Sequence, residues 1–267
     1  MNGRCFLVTG AASGIGRALA GAIAAQGDRL IATDRALVPL QQAADQDGWP
    51  TDRIWVRHLD VCDAAAWDAA VADTTGTNGP IDVLVNVAGY LQPGWTHDVD
   101  GEAFDRHFDV NVKGVVLGMR AVLPAMRARG SGHVINVASL AALAPIPGIA
   151  LYSASKFAVR AYSLAAAQEL HGTGVAVSVV CPDAVRTPML ELQRDYEEAA
   201  MTFSGPRVLE PEEVARAILD VVRRRPLELY LPRHRGWLAR AADLMPRLAM
   251  VLGPRLTRRG RGRQRTA

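Results

Sequence analysis

Thr9-Gly10-Ala11-Ala12-Ser13-Gly14-Ile15-Gly16 follows directly on the apolar run Cys5-Phe6-Leu7-Val8 and precedes an Ala-rich segment that reads as a helix over 14–26. Its spacing is G-x-x-x-G-x-G. The glycines allow a tight turn and let a pyrophosphate approach the backbone at a helix N-terminus, with Ser13 and Ile15 beside it. Asp34 lies 20 residues after Gly14, at the end of the next β-branched run. A carboxylate there accepts hydrogen bonds from an adenosine ribose and repels a 2′-phosphate, so NAD is expected and NADP less so. Arg35 works the other way, since a guanidinium beside Asp34 could tolerate that phosphate.

Outward from this turn, short strand-like runs at 4–9, 29–34, 53–59, 81–85, 132–138, 175–181 and 227–231 alternate with helical patterns near 14–26, 38–47, 63–75, 103–129, 152–170 and 210–224. Such alternation predicts right-handed βαβ crossovers and a parallel sheet covered on both faces. No repeat or linker interrupts residues 1–231, which read as one α/β domain. Residues 183–209 have no clean period and read as a long functional loop. The candidate polar residues gather just past the strands: Gly10 to Gly16, Asp34, Asp60, Asn86 to Gly89, Ser139 and Asp183 to Thr187. In an open α/β sheet, ligands bind at that edge.

Composition is that of a globular chain: 267 residues, 49% hydrophobic and 21% charged, which excludes disordered and collagenous classes. Three separated cysteines (Cys5, Cys62, Cys181) suit buried thiols in a reducing compartment, and no His or Cys spacing suggests a metal. Neither a signal peptide nor a transmembrane run is seen, so a cytoplasmic body is expected. Net charge is +3, unevenly placed: residues 1–231 sum to −6 and residues 232–267, with ten Arg and one Asp, to +9.

Tyr152-Ser153-Ala154-Ser155-Lys156 sets a phenol and an ammonium four residues apart on one helical face. A free Tyr titrates near 10, and a neighbouring ammonium is expected to lower that value toward neutrality, making the phenol a proton donor and acceptor. Ser139 could hydrogen-bond the same substrate oxygen. Lys156 is one of only two Lys in a chain with 28 Arg.

With these motifs in order, the sequence resembles the short-chain dehydrogenase/reductase family over about residues 1–231. The matching elements are Thr9–Gly16, Asp60-Val61, Asn86-Val87-Ala88-Gly89, Asn111, Ser139 and Tyr152-x-x-x-Lys156. The resemblance implies a Rossmann-type doubly wound sheet of strand order 3-2-1-4-5-6-7 and a catalytic set Asn111, Ser139, Tyr152 and Lys156. In that set Tyr152 transfers the proton, Ser139 positions the substrate oxygen, and Lys156 binds the nicotinamide ribose. Asn111 holds a water linking Lys156 to solvent. Asp60 and Val61 would meet the adenine, Asn86, Ala88 and Gly89 the adjacent ribose region, and Val185 and Thr187 the carboxamide. A homodimer or homotetramer is also implied, through the helices near 103–129 and 152–170. Asp183 departs from the family, which usually has glycine there.

Residues expected over the nicotinamide, among them Tyr90, Leu91, Pro93, Leu140, Leu143, Pro145, Ile146, Pro147, Met189 and Leu190, are mostly apolar. The expected activity is therefore interconversion of an alcohol and its ketone or aldehyde on an apolar substrate (steroid, retinoid-like or long-chain lipid). The alternatives are an NADPH-dependent ketoacyl or keto-sphingoid reductase, or a dinucleotide-binding scaffold without turnover. The tail 232–267 reads as a basic, partly amphipathic segment kinked at Pro246, with Gly253-Pro254 before an Arg-rich end. It suits peripheral membrane contact or a docked helix with a solvated end. Nucleic acid is the weakest reading, for want of interleaved aromatics.

Overall fold

The computed structural model of the protein describes residues 3–264. Strand β1 (Cys5–Thr9) leads into helix α1 (Gly14–Gln26), β2 (Arg29–Asp34) into α2 (Leu37–Gln46), and β3 (Ile54–His58) into α3 (Ala64–Asn78). After β4 (Val83–Asn86) come α4 (Gly101–Phe108), a π-helical turn at Asp109–Lys113 and α5 (Gly114–Arg129). Then β5 (Gly132–Val137) is followed by α6 (Ala150–Glu169), and β6 (Val175–Pro182) by α7 (Pro188–Leu192) and α8 (Pro211–Arg224). The chain continues as β7 (Glu228–Leu231), α9 (Arg233–Leu244) and α10 (Pro246–Gln264).

All seven strands pair in parallel in the order β3-β2-β1-β4-β5-β6-β7, the doubly wound Rossmann topology. Successive side chains of a strand point to opposite faces, and here both faces are covered. In β1, Phe6 and Val8 join a core with Leu19 and Ile23 of α1 and Ile218 of α8. Cys5 and Leu7 point the other way, into a core with Trp67 of α3, Met119 of α5 and Val159 of α6. The order reverses beside β1, between its neighbours β2 and β4, and that places a crevice at the C-terminal strand ends.

Trp67 is fully buried, and its indole N–H donates to the Val61 carbonyl at 3.0 Å. Trp67→Ala is expected to cost about 3–5 kcal/mol, measured by urea unfolding. A loss below about 1 kcal/mol would be the cost of a surface substitution and would deny Trp67 its place in this layer.

Two stretches differ from the sequence reading. Residues 183–209 contain α7 and two 3₁₀ segments, Gln193–Asp195 and Glu197–Ser204. In the tail, Pro246 opens α10 at a position where its missing N–H costs nothing, so the chain breaks at Met245 between two helices instead of kinking one. Gly253-Pro254 does not end the helix: Pro254 lies inside α10, which runs on to Gln264. The compensation for these poor helix formers is packing. A Cβ on Gly260 would come 1.9 Å from the Ala200 carbonyl oxygen, so only glycine lets α10 lie this close to the 197–204 segment. The Gln264 amide, buried at the far end, donates to the carbonyls of Gln193 (2.8 Å) and Tyr196 (2.7 Å). The last Arg of the sequence, Arg265, lies outside the described residues.

Candidate active site

The glycine turn is built by close approach. Gly14 has φ +51°, which side chains disfavour, and a Cβ on Gly16 would lie 2.0 Å from the Gly10 carbonyl oxygen. Ser13 caps α1 with extended backbone and no side-chain hydrogen bond. The first-turn N–H groups of Gly14, Ile15 and Gly16 therefore end at the crevice, where the positive end of the helix dipole favours an anion. Asp34 closes the turn: its carboxylate accepts from the backbone N–H groups of Ala12 (3.1 Å) and Ala36 (2.9 Å). Thr9 Oγ1 accepts from the N–H groups of Val87 (3.0 Å) and Ala88 (3.1 Å), tying β1 to the chain after β4.

A cavity of about 1970 Å³ runs along this edge. A pocket for one drug-sized ligand spans roughly 300–1,000 Å³, so a dinucleotide and a second molecule fit together. Gly10, Ser13, Gly14, Ile15, Gly16, Asp34 and Arg35 line one end, with Asp60 and Val61 beside them. Ala88, Gly89, Val185 and Thr187 line the middle, next to Ser139, Tyr152 and Lys156. A Cβ on Gly89 would stand 3.6 Å from Met189 Cε and 3.7 Å from Lys156 Nζ, filling this part of the cradle. The residues present thus fit a dinucleotide along the whole edge.

Two expected site residues are buried behind the cavity wall. Asn86 is buried and its amide donates to Asn136 Oδ1 at 2.8 Å; Asn136 in turn donates to Ser163 Oγ at 2.8 Å. The Asn86 side chain therefore joins β4, β5 and α6 beneath the crevice, not the ribose region. Asn111 sits in the π-helical turn, a local widening that often marks a functional site. Its amide donates to the Tyr90 carbonyl and Ser155 Oγ, both at 2.9 Å, while its Oδ1 accepts from Tyr90 N–H at 2.7 Å. It clamps the Tyr90 backbone to α6 and lies directly behind cavity-lining Gly89, where an added Cβ would stand 3.4 Å from its Oδ1. Among the residues expected over the nicotinamide, Leu143 is fully buried in the core and Pro93 is also buried away from the cavity, whereas the other eight line it.

Tyr152 and Lys156 lie near the start of α6, both buried, with Nζ 5.6 Å from the phenol ring centroid. Nζ donates to the Val137 carbonyl at 2.9 Å. Ser139, just past β5, accepts from Ala141 N–H at 3.1 Å and hydrogen-bonds the phenol. The net effect on Tyr152 is opposite to the expectation. Burial pushes the phenol up to about 12, and the Ser139 hydrogen bond only partly opposes it. Burial likewise pulls Lys156 down to about 8. The phenol is thus a firmly held acid at neutral pH.

The substrate end extends beyond the residues expected from sequence. Leu238, Ala242, Ala249 and Met250 of α9 and α10 also line the cavity, so the tail forms its outer wall. Asp183 is turned toward that wall and pairs with Arg235 of α9 at 2.6 Å. Arg160 of α6 pairs with Glu228 of β7 at 2.6 Å, and Arg240 of α9 approaches the same carboxylate at 3.4 Å. The apolar spacing over 237–252 was the available signal; the partners of its charges lie too far off in sequence to be seen.

A family model described as short chain dehydrogenase matches residues 4–198. The chain is 39% identical over 200 residues to 2-(R)-hydroxypropyl-CoM dehydrogenase of Xanthobacter autotrophicus, covering 73% of this chain and 80% of that one. A serine dehydrogenase solved in its closed form with NADP+ superposes with TM-score 0.77 at 34% identity, over 85% of this chain and 93% of that one. A short-chain dehydrogenase from Streptomyces avermitilis superposes with TM-score 0.80 at 30% identity, over 97% of this chain and 98% of that one. On motif, topology and similarity together, the chain belongs to the short-chain dehydrogenase/reductase family and is an NAD(P)-dependent oxidoreductase acting on CH–OH groups.

Proposed function

We propose that the protein interconverts an apolar alcohol and its ketone or aldehyde, with NAD(H) preferred and Tyr152 moving the proton. The observation that carries this reading is the convergence of Ser139, Tyr152 and Lys156 in one cavity with the glycine turn. A bound nicotinamide dinucleotide supplies the hydride donor or acceptor. Everything else falls to the chain. The Tyr152 hydroxyl, protonated at neutral pH, donates to the oxygen of a carbonyl, and in the opposite direction its phenolate takes the proton from an alcohol. Ser139 orients that oxygen beside the phenol. Lys156, held by the Val137 carbonyl, would hold the nicotinamide ribose and keeps positive charge near the phenol. Asn111 is a positioning residue that fixes Tyr90 and Ser155.

Support for NAD comes from Asp34, whose two oxygens are both engaged by backbone N–H groups. It cannot swing aside for a 2′-phosphate without opening the glycine turn. The apolar substrate class rests on Leu140, Ile146, Met189 and Leu190, joined by Leu238 and Met250 of the tail. Asp183 no longer favours a scaffold without turnover, because its carboxylate is spent on Arg235.

Assays of steroid, retinoid and fatty alcohols with NAD⁺ and NADP⁺ test both points. We expect oxidation of at least one class, with kcat/KM about tenfold or more higher for NAD⁺, a difference of about 1.4 kcal/mol. Equal or better use of NADP⁺ would assign the dinucleotide end to Arg35 instead of Asp34. Activity confined to small charged alcohols would reject the apolar substrate.

A further inference from the structure

The tail binds back on the body through one face of α10. Ala249, Gly253, Thr257, Gly260 and Gln264 recur at helical spacing and, with Arg263, are the buried or half-buried positions among the described side chains of that helix. The opposite side and the α9–α10 corner are left bare. Leu244 is 82% exposed, Met250 77% and Val251 70%, with Met245 at 50%. Four large apolar side chains clustered at one helix corner on a soluble surface mark an interaction site. Around them stand Arg247, Arg255 and Arg259, all exposed and without an ion pair among the described residues.

We propose that this corner is a lipid-facing surface. Leu244, Met245, Met250 and Val251 enter the headgroup region of an anionic bilayer, and Arg247, Arg255 and Arg259 meet its phosphates. Charge selects this occupant over a second copy of the chain. A symmetric dimer through the corner would set the Arg cluster against itself, and the tail offers Asp243 as its single acid. Charge also sets the orientation. Residues 1–231 carry −6 and are repelled by an anionic surface, while residues 232–267 carry +9 and are drawn to it. A nucleic acid would satisfy the arginines but leave the apolar corner in water.

Insertion would be interfacial: among the described residues, no helix is long and apolar enough to cross a membrane. Leu238 and Met250 are exposed and also line the cavity. Apolar surface is therefore continuous from the corner into the substrate end, so an apolar substrate could pass from the leaflet to Tyr152 without crossing water. Lipid contact itself does not depend on which alcohol the site takes.

Co-sedimentation of the full chain with vesicles tests the assignment. The protein should pellet with mixed phosphatidylcholine and phosphatidylglycerol vesicles at low salt and remain in solution with pure phosphatidylcholine. Arg247→Gln/Arg255→Gln/Arg259→Gln should lower partitioning by about two orders of magnitude, as expected for three arginines near the surface. Leu244→Glu/Val251→Glu should lose binding while keeping the wild-type melting curve, dinucleotide affinity and turnover. If that pair fails to fold, the milder Val251→Ser should still weaken binding measurably. Wild-type protein left in solution by both vesicle types overturns the assignment. So does undiminished binding of the Glu variant, or tight binding to single-stranded RNA that the Glu variant shares. A wild-type dimer that the Glu variant turns into a monomer, with no vesicle binding, would give the corner to a second copy.

Discussion

Tyr152→Phe is expected to lower turnover about 10²–10⁴-fold in both directions, with dinucleotide affinity unchanged. The substitution removes one oxygen from a buried ring whose hydroxyl bonds Ser139. The fold should lose about 1 kcal/mol or less, the net worth of one hydrogen bond. The pH dependence gives a second readout. Because burial holds the phenol up to about 12, it is a ready donor throughout the neutral range and a poor acceptor there. Carbonyl reduction should be nearly flat between neutral and mildly alkaline pH, while alcohol oxidation climbs as the phenol begins to ionise. Lys156, pulled down to about 8, loses its charge over the same interval and bends the oxidation profile above that value. The Phe variant should lose the climb as well as the rate. Wild-type rates in the variant, or oxidation that falls as pH rises, would remove Tyr152 from proton transfer.

Most of this site was legible because each piece is a local pattern with its own physical reason. The glycine turn requires Gly14 and Gly16, since one takes positive φ and the other touches the Gly10 carbonyl. The four-residue spacing of Tyr152 and Lys156 puts both on one helical face. Legibility failed where the answer depended on direction or depth. Asn86 is at the end of β4, as expected, but strand alternation aims its side chain down at Asn136 instead of along the crevice. The Tyr152 shift runs opposite to the sequence expectation for a related reason. Spacing reveals the neighbouring ammonium, whereas the burial that outweighs it is a property of the assembled fold.

The tail was harder still. Glycine and proline disfavour helix by about 1 and 3 kcal/mol respectively, so Gly253-Pro254 reads as a break and Gly260 is a poor helix former. The small size of Gly260 is what the 197–204 segment needs, and packing against it outweighs local preference. Nothing within ten residues of Gly260 discloses that it will meet Ala200.

The pairing of Asp183 with Arg235 gives the second large effect, and its sign depends on which partner is removed. Burial raises the Asp183 carboxyl above its ordinary value, and Arg235 and the Ala184 N–H only partly offset this. A carboxyl raised in the folded state favours folding at low pH and loses that contribution as pH rises through its folded value. At neutral pH the ionised group is therefore a net cost to the fold, held in place by its partner. Arg235→Met leaves the carboxylate buried and unpaired, and is expected to cost about 3–5 kcal/mol at pH 7. Asp183→Ala frees a guanidinium that is 25% exposed and can turn toward water, at about 1 kcal/mol. The double variant Asp183→Ala/Arg235→Met should recover most of the loss, because neither charge then remains in the interface. Urea unfolding of the four proteins should give a coupling energy of about 2 kcal/mol or more, well beyond the roughly 0.5 kcal/mol of independent sites. The Arg235→Met deficit should also shrink as pH falls and Asp183 takes up its proton. Strict additivity, or a deficit that grows on acidification, would mean that the 2.6 Å contact does not join the β6 end to α9. A confirmed coupling would make Asp183, where the family resemblance leads one to expect glycine, the anchor by which this chain adds its C-terminal helices to the wall of the active site.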